Sequence, residues 1–383
     1  MKTSPPKSSS HRHAVCLTGA RSLNKRMSLF VEGLLDTGLG VQVVALPRGN
    51  WNLQRFETRA EQQPALSASC VCFSVTPDSH LSVVLCFHWI MLPLAVLWAT
   101  IRRVPLIYDE HDHYEINTLE GGGPLIVRQF RRLIVRGIHR ICLPFVTLVT
   151  CIHMANAELK QHLQRWQKNV LELHNYPVTA WRSVTAVTEA TRPLSFIYVG
   201  GVFEEKGVRH AAEAFLSLPP EVRGTSHLHI FGGGDESLIR ELQECPSVTV
   251  HNSVTPQRLR EFAEQERCCG LVLYNDHPRY GRIGTNSRKL YEYLAMGMPV
   301  IATSVGEIKQ FVADHDVGIV IDARVSTREL QQAMLRLADG TARTWERQAG
   351  NARLLMQSPE MTWEHEWAKV LRSEALSRGV RAA

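Results

Sequence analysis

Short apolar runs rich in β-branched residues alternate with longer amphipathic stretches along the first half of the chain. Such runs predict buried strands, and the amphipathic stretches have the 3.6-residue period of helices. The predicted strands are 14–17, 41–45, 83–87, 106–108, 148–151 and 170–173, and the predicted helices are 24–37, 92–101, 125–142 and 155–166. This alternation predicts an α/β fold with a doubly wound parallel sheet.

The same pattern restarts in the second half. The predicted strands there are 195–199, 228–231, 248–251, 270–274, 300–302 and 318–320, and the predicted helices are 208–216, 236–244, 256–265, 288–296, 307–312 and 327–338. Two Rossmann-like domains facing a cleft follow, because open α/β sheets bind ligands at the carboxyl ends of their strands.

The expected domain limits follow from polarity and from Pro and Thr content. We expect a disordered leader (1–13), an N-terminal acceptor domain (14–178), a linker (179–193), a C-terminal donor domain (194–358), and a C-terminal helix (359–383) that crosses back to the N-terminal domain. The leader is too polar for the apolar core of a signal peptide.

Residues 81–101 contain no Asp, Glu, Lys or Arg and reach the length of a membrane span. Ser82, His88 and Pro93 interrupt the run. The sequence therefore leaves two interpretations open, a membrane span or a buried strand followed by a short helix, and it favours the second, since strands covered on both faces are continuously apolar.

Composition and charge narrow the class of protein. A chain of 383 residues with 44% hydrophobic content excludes a disulfide scaffold, a coiled coil and a disordered chain. Its nine cysteines contain no C-x-x-C pair and are typical of reduced thiols in a cytosolic protein. The net charge is +6, and residues 1–178 hold 19 basic against 12 acidic residues, so the first half carries the positive excess and favours an anionic partner.

Two segments of the second half have the composition of phosphate sites. Gly200 and Gly201 follow a predicted strand, and Lys206 comes just before the next helix. Glycines there let backbone amides approach a phosphate, although an ordinary βα turn with a surface lysine has the same spacing.

Farther on, Asn286 or Ser287 is expected to cap a helix that ends at Gly297. The free amides of such a helix form an anion site. Glu292 lies one and a half turns in, either bound to vicinal ribose hydroxyls or paired with Arg288 or Lys289.

Together, "YVGGVFEEKGV" and "NSRKLYEYLAMGMPVIAT" resemble the donor-binding half of retaining GT-B glycosyltransferases of family GT4. "YDEHDHYE" and "VLELHNYP" in the first half are similar to further segments of that family, so the resemblance covers nearly the whole chain.

The resemblance implies roles for individual residues. Lys206 would bind the donor diphosphate, Glu292 the ribose, and His111 would lie near the transferred sugar with Asp109 and Asp112 in its loop. The implied donor-binding residues are Gly19, Gly200, Gly201, Lys206, Arg282, Asn286, Ser287, Lys289, Leu290 and Glu292. The acceptor hydroxyl would lose its proton to a donor phosphate oxygen, with no metal or other cofactor.

The sequence departs from the family at two positions. Gly201 stands where the family often has Arg, and Gly284 stands where the first Glu of its E-x7-E pair would be. We expect Arg282, Arg279 or Arg288 to supply the missing cation, and Tyr280, Thr285 or Asn286 to contact the donor hexose.

Residues 124–142 form a basic amphipathic helix. Arg128, Arg131, Arg132 and Arg136 gather on one side, and Ile126, Phe130, Leu133 and Ile134 are among the apolar residues opposite. One interpretation is a solvated basic face above a buried apolar face, and the other is a helix lying at an anionic bilayer.

The predicted function is transfer of a sugar from a nucleotide-diphosphate-sugar to a hydroxyl of a growing polysaccharide or lipid-linked glycan, with retention. The expected location is cytoplasmic, peripheral on the inner face of the membrane, and nucleic acid is excluded as a partner by the lack of an aromatic-interleaved basic motif. A nucleotide-sugar epimerase and a weakened accessory protein of the same fold remain alternatives.

Overall fold

The computed structural model describes residues 12–19, 24–45, 66–70, 80–120, 123–183, 192–251, 255–339 and 343–373. The chain divides into two compact units. One comprises Met1–Ile152, Glu158–Leu173 and Glu366–Ala383, and the other comprises His153–Ala157 and His174–His365.

The first unit contains a seven-stranded parallel sheet. Its strands are β1 (Arg12–Thr18), β2 (Gly40–Ala45), β3 (Leu66–Cys70), β4 (His80–Cys86), β5 (Leu106–Glu110), β6 (Leu148–Ile152) and β7 (Val170–Leu173). Its helices are α1 (Lys25–Asp36), α2 (Leu92–Arg102), α3 (Tyr114–Glu120), α4 (Leu125–Cys142) and α5 (Glu158–Leu163). The strand order is β3-β2-β1-β4-β5-β6-β7.

Local sequence explains most of these elements. Asn24 caps α1 by accepting a hydrogen bond from the amide of Met27, and all five residues of β5 are buried. Strand β4, a 3-10 turn (Trp89–Met91) and α2 occupy the apolar segment 81–101, which confirms the strand and helix interpretation. Over the described ranges, no helix is both long enough and apolar enough to cross a membrane.

The structure corrects the prediction at two strands of this sheet, the interior strand β1 and the edge strand β3. Strand β1 begins at Arg12, so two residues assigned to the leader pair with β2 and β4; residues 1–11 lie outside the described part. The edge strand β3 has the sequence LSASC, whose small residues lack the β-branched signal used for the other strands.

The second unit contains a six-stranded parallel sheet with the order β10-β9-β8-β11-β12-β13. Its strands are β8 (Leu194–Val199), β9 (Ser226–Phe231), β10 (Val248–His251), β11 (Arg267–Val272), β12 (Val300–Thr303) and β13 (Gly318–Ile321). Its helices are α6 (Val208–Leu216), α7 (Pro220–Arg223), α8 (Glu236–Gln243), α9 (Pro256–Gln265), α10 (Pro278–Gly281), α11 (Arg288–Ala295), α12 (Ile308–Asp314), α13 (Thr327–Ala338) and α14 (Thr344–Met356).

Segments near the limits of the second unit differ from the prediction. Thr179–Ser183, assigned to the linker, forms a 3-10 turn, and 184–191 lie outside the described residues. Helix α14 was not predicted; its Trp345 is buried and donates to the carbonyl of Cys268. Helix α15 (Trp363–Arg372) begins four residues inside the predicted 359–383, and the first unit takes in its residues from Glu366 onward.

Helix α4 spans the predicted residues, but the interpretation of a solvated basic face above a buried apolar face is wrong. Only Val135, His139 and Cys142 of this helix are buried. Phe130 is 64% exposed and Ile126 is 79% exposed, so the apolar side faces outward together with several arginines. The reason is that the narrow side with His139 packs inward, where Nε2 of the imidazole meets Oε2 of Glu110 at 3.4 Å.

A buried ion pair joins α1 to β5. Arg26 donates to both carboxylate oxygens of Asp109, at 2.9 and 2.8 Å, and the hydroxyl of Thr150 donates to the same carboxylate at 2.7 Å. Both charged side chains are nearly inaccessible. Asp109 therefore lies inside the sheet, and the expectation that it belongs to the His111 loop is wrong.

We expect Asp109→Leu to lower the free energy of unfolding by about 3–5 kcal/mol, because it leaves Arg26 buried without its counterion. Denaturant unfolding measures the loss. The double variant Arg26→Leu with Asp109→Leu should lose much less, since no unpaired charge remains. A double variant as unstable as the sum of the two single variants would contradict this account.

Candidate functional site

The loop after β8 brings backbone close to backbone. Gly200 has a φ of 148° and donates to the carbonyl of Phe231 at 3.0 Å. A β-carbon on Gly232 would lie 1.9 Å from the carbonyl oxygen of Gly200, so only glycine fits there. Gly201 accepts a hydrogen bond from the hydroxyl of Tyr198. The predicted glycine loop is thus a tight crossing of two βα loops.

Lys206 ends a 3-10 turn (Glu204–Lys206) in this loop. The left-handed Gly207, with φ of 68°, then starts α6. The Nζ of Lys206 donates to the hydroxyl of Tyr280 and lies 4.6 Å from the centre of that ring and 5.9 Å from the ring of Tyr274.

Lys289 reaches the same aromatic rings from α11. Its Nζ lies 4.8 Å from the centre of the Tyr274 ring and 4.6 Å from that of Tyr198. Neither Lys289 nor Lys206 forms an ion pair with any carboxylate that the structure describes. Two ammonium groups therefore converge on tyrosine rings, with no counterion among the described residues.

The electrostatics of this lysine pair favour an anion. Burial, with repulsion from Lys206, lowers the pKa of Lys289 to about 7. Burial raises the pKa of Tyr274 to about 12 and raises the pKa of Tyr198 further, so both phenols stay neutral and supply no negative charge. A bound phosphate would supply that charge and favour the protonated form of Lys289.

The start of α11 offers backbone donors beside the lysines. Ser287 is the N-cap residue, but its side chain makes no capping bond and instead meets the hydroxyl of Tyr274 at 3.0 Å. The side chain of Asn286 accepts from the amide of Asn175. The first amides of α11 thus have no side-chain cap, whereas Leu290 places its side chain in the core.

Glu292 is paired with Arg288. The Nε of Arg288 donates to Oε1 of Glu292 at 2.8 Å, and the carboxylate is largely buried. This contact agrees with the interpretation that Glu292 pairs with Arg288. The pair is largely shielded from solvent, whereas an exposed helix surface would leave it solvated. The ribose interpretation stays a prediction.

Gly284 lies against an imidazole. A β-carbon there would lie 2.3 Å from Cδ2 of His153. His153 is held in turn by Glu307, whose Oε2 meets Nε2 of the imidazole at 2.8 Å and whose Oε1 accepts from the amide of Asn156. The space that a glutamate at 284 would need is therefore filled by a fixed histidine, which the sequence pattern gave no means of predicting.

In the first unit, loops after β1, β4 and β5 gather several ring side chains. A β-carbon on Gly19 would lie 3.2 Å from the imidazole of His88, whose ring is 5.0 Å from that of Tyr114. The Tyr114 hydroxyl meets Nε2 of His111 at 2.9 Å. His88 and Tyr114 were missed by sequence reasoning, although both follow strands whose carboxyl ends share one sheet edge.

The remaining predicted residues are placed as follows. The carbonyl of Arg282 accepts from the amide of Ala155. Arg128 donates to the carbonyl of Leu119, and Arg132 pairs with Glu115, so these two serve contacts within the first unit. Arg131 and Arg136 are exposed.

Part of the second unit matches a known family. Residues 193–340 match the family model described as Glycosyl transferases group 1. Over 138 residues the chain is 28% identical to the lipopolysaccharide glucosyltransferase WaaG of Escherichia coli (strain K12). That match covers 36% of this chain and 35% of WaaG, about a third of each protein.

Solved structures show the same fold over nearly the whole chain. A structure of HepE from Anabaena in complex with UDP and glucose has a TM-score of 0.68 at 14% identity, covering 96% of this chain and all of that chain. A WaaG structure has a TM-score of 0.59 at 16% identity, covering 94% and 99%. The fold is GT-B, which confirms the predicted pair of Rossmann-like domains.

We expect Lys289→Met to raise the free energy of unfolding, most strongly below about pH 7. The pKa of Lys289 falls from its ordinary 10.5 to about 7 on folding, so the unfolded chain binds more protons between these values. The free energy of unfolding of the wild type therefore rises with pH through that window. The advantage in stability of Lys289→Met over the wild type becomes smaller over the same range. Denaturant unfolding at several pH values tests this.

Lys309→Met, at an exposed lysine of the same unit, is the matched control for Lys289→Met and should leave the pH slope unchanged. If the wild type and Lys289→Met had parallel stability profiles over that window, the burial of the ammonium would be disproved.

We expect Gly284→Ala to lower the free energy of unfolding by about 1–3 kcal/mol, because its β-carbon would overlap the ring of His153. In a His153→Ala background the same change should cost much less, since only the backbone carbonyl of residue 153, at 3.2 Å, still approaches the new β-carbon. Gly281→Ala is the control, since a β-carbon there meets nothing within 4 Å. Equal losses in both backgrounds would exclude the contact as the cause.

Proposed function

We propose that this protein is a retaining glycosyltransferase of the GT4 type that moves a hexose from a nucleotide-diphosphate-sugar to a hydroxyl of a growing polysaccharide or lipid-linked glycan. The convergence of Lys206 and Lys289 on Tyr274 carries the proposal. Both lysines lie within residues 193–340, the part that matches the group 1 family.

In the proposed reaction the two lysines bind the diphosphate. The bond from the anomeric carbon to the diphosphate breaks, and the acceptor oxygen forms its bond on the same face of the sugar. The acceptor proton passes to a phosphate oxygen, and the nucleoside diphosphate leaves. Charge grows on the diphosphate during this step, so the ammonium groups and the first amides of α11, which the Ser287 side chain does not cap, stabilise the transition state. We propose that the reaction needs no metal ion.

We propose Lys289 as the second cation of the diphosphate site. It would replace the arginine that the family often has at the position of Gly201. Among the arginines considered for this role, Arg288 is already bound to Glu292, and the side chain of Arg279 is outside the described residues. Lys289 shares the Tyr274 ring with Lys206 and pairs with no carboxylate in the described part of the chain. With Arg288 fixing one oxygen, Glu292 would present its carboxylate to the ribose hydroxyls.

The proposals for the donor and for the acceptor rest on different observations. HepE was solved with UDP and glucose, which makes UDP-glucose the first donor to test. We propose that the first unit binds the acceptor and that His111 lies near the transferred sugar. His111 is at the sheet edge where it, Gly19 and His88 follow parallel strands. The positive excess of the first half supports an acceptor at the inner, anionic face of the cell membrane.

We expect Lys206→Ala to lower kcat/KM for UDP-glucose by about 10²–10³, because it removes a donor that acts on the developing phosphate charge. Release of UDP in the presence of an acceptor preparation measures transfer, with and without EDTA. Lys309→Ala is the control, and thermal unfolding checks that both variants fold.

Three results would contradict the proposed function. Unchanged turnover in Lys206→Ala would remove that lysine from the site. Interconversion of the sugar without UDP release would identify an epimerase. Failure of every UDP-, GDP- and ADP-sugar to bind or react would favour a non-catalytic protein.

A further inference from the structure

The exposed apolar side chains of the molecule are concentrated in the first unit. Of the thirteen large hydrophobic side chains exposed in the described part of the chain, eleven lie between residues 90 and 145. They are Ile90, Leu97, Ile101, Leu125, Ile126, Val127, Phe130, Leu133, Ile134, Ile141 and Phe145, here called the apolar surface. A concentration of this kind marks an interaction site, whereas single exposed apolar residues need no explanation.

Helix α4 contributes the main stripe of the apolar surface. At about 100° per residue, Ile126, Phe130, Leu133 and Ile141 fall on one side of the helix. Val135 and Cys142, which are buried, fall on the opposite side. The helix thus has one side in the core and an apolar stripe directed away from the protein.

Helix α2 extends the stripe. Leu97 is 58% exposed and Ile101 is 68% exposed, one helical turn apart, while Ala95 and Ala99 are buried. Helix α2 packs against α4 within the first unit. The two apolar stripes therefore belong to neighbouring helices and form one surface.

The exposed charged side chains of α2 and α4, and that of Arg103 just after α2, are all positive. Arg102, Arg103, Arg131, Arg136 and Arg140 are exposed, and neither α2 nor α4 contains Asp or Glu. Two copies of the chain meeting through this surface would bring these arginines together without counterions. An anionic bilayer satisfies both features, because it accepts apolar side chains below the headgroups and arginines beside the lipid phosphates.

We propose that the apolar surface inserts into an anionic lipid bilayer, so that α4 and α2 lie in the headgroup region with their stripes in the acyl boundary. The inference rests on the membrane location proposed above and adds that apolar insertion, rather than the four arginines singled out by the sequence, provides the attachment. Arg128 and Arg132 are engaged inside the unit, with Leu119 and Glu115.

Sedimentation with phosphatidylglycerol-containing vesicles tests the insertion. We expect the wild type to bind these vesicles and to remain largely bound in about 0.5 M salt, because apolar burial is not screened. The triple variant Ile126→Ser, Phe130→Ser and Leu133→Ser should lose binding by about tenfold or more. These side chains are exposed, so the thermal midpoint should not fall.

A matched pair of single variants isolates the surface. Leu133 is 62% exposed on α4 and Leu354 is 71% exposed on α14 of the second unit. Leu133→Ser should weaken vesicle binding several-fold, and Leu354→Ser should leave it unchanged. Arg131→Gln with Arg136→Gln should reduce binding at low salt and have little effect at high salt.

The contrary outcomes separate the two claims. Binding that high salt abolishes and that the serine variants retain would overturn insertion and leave the membrane location standing. No binding of the wild type to any vesicle would overturn both. Self-association of the wild type that Leu133→Ser abolishes, without vesicle binding, would assign the surface to a second copy of the chain.

Discussion

Parallel pairing of the strands is the constraint on which both units depend. Every described pairing between neighbouring strands is parallel, so each connection returns across a face of the sheet and all carboxyl ends reach one edge. Loops that are far apart in sequence therefore meet at that edge. Gly19, His88 and His111 are brought together in this way in the first unit, and Lys206 and Tyr274 in the second.

The lysine pair is the part of this edge where we propose that a charged ligand binds. Tyr198 and Tyr274 surround the ammonium of Lys289 with ring faces, which attract a cation without neutralising it. The cost of burying the ammonium of Lys289, and of holding it near Lys206, appears as a lowered pKa of Lys289. A protein with no anion to bind would gain stability by replacing this lysine, and this is the physical argument for the phosphate site that we propose.

Two corrections show where a pattern of residues stops being informative. The hydrophobic period of α4 is that of a buried helix, yet the apolar stripe is exposed and the histidine side is buried with Glu110. Gly284 looks like a lost acid in the sequence. In the structure it accommodates His153, which Glu307 holds in place. In both cases a polar contact with a residue distant in sequence decided the outcome.

The sequence by itself determined most of the strands and helices in their order along the chain, though not β3 or α14, because periodicity and capping residues act over a few neighbours. Strand β10, helix α6 and helix α4 were predicted to the residue, and the glycine loop and Lys206 were found in the motif. Only the tertiary structure decided that Lys289 joins Lys206, that Arg26 neutralises Asp109, and which side of α4 faces outward. These contacts join residues on different elements, and no local pattern records which elements the fold brings together.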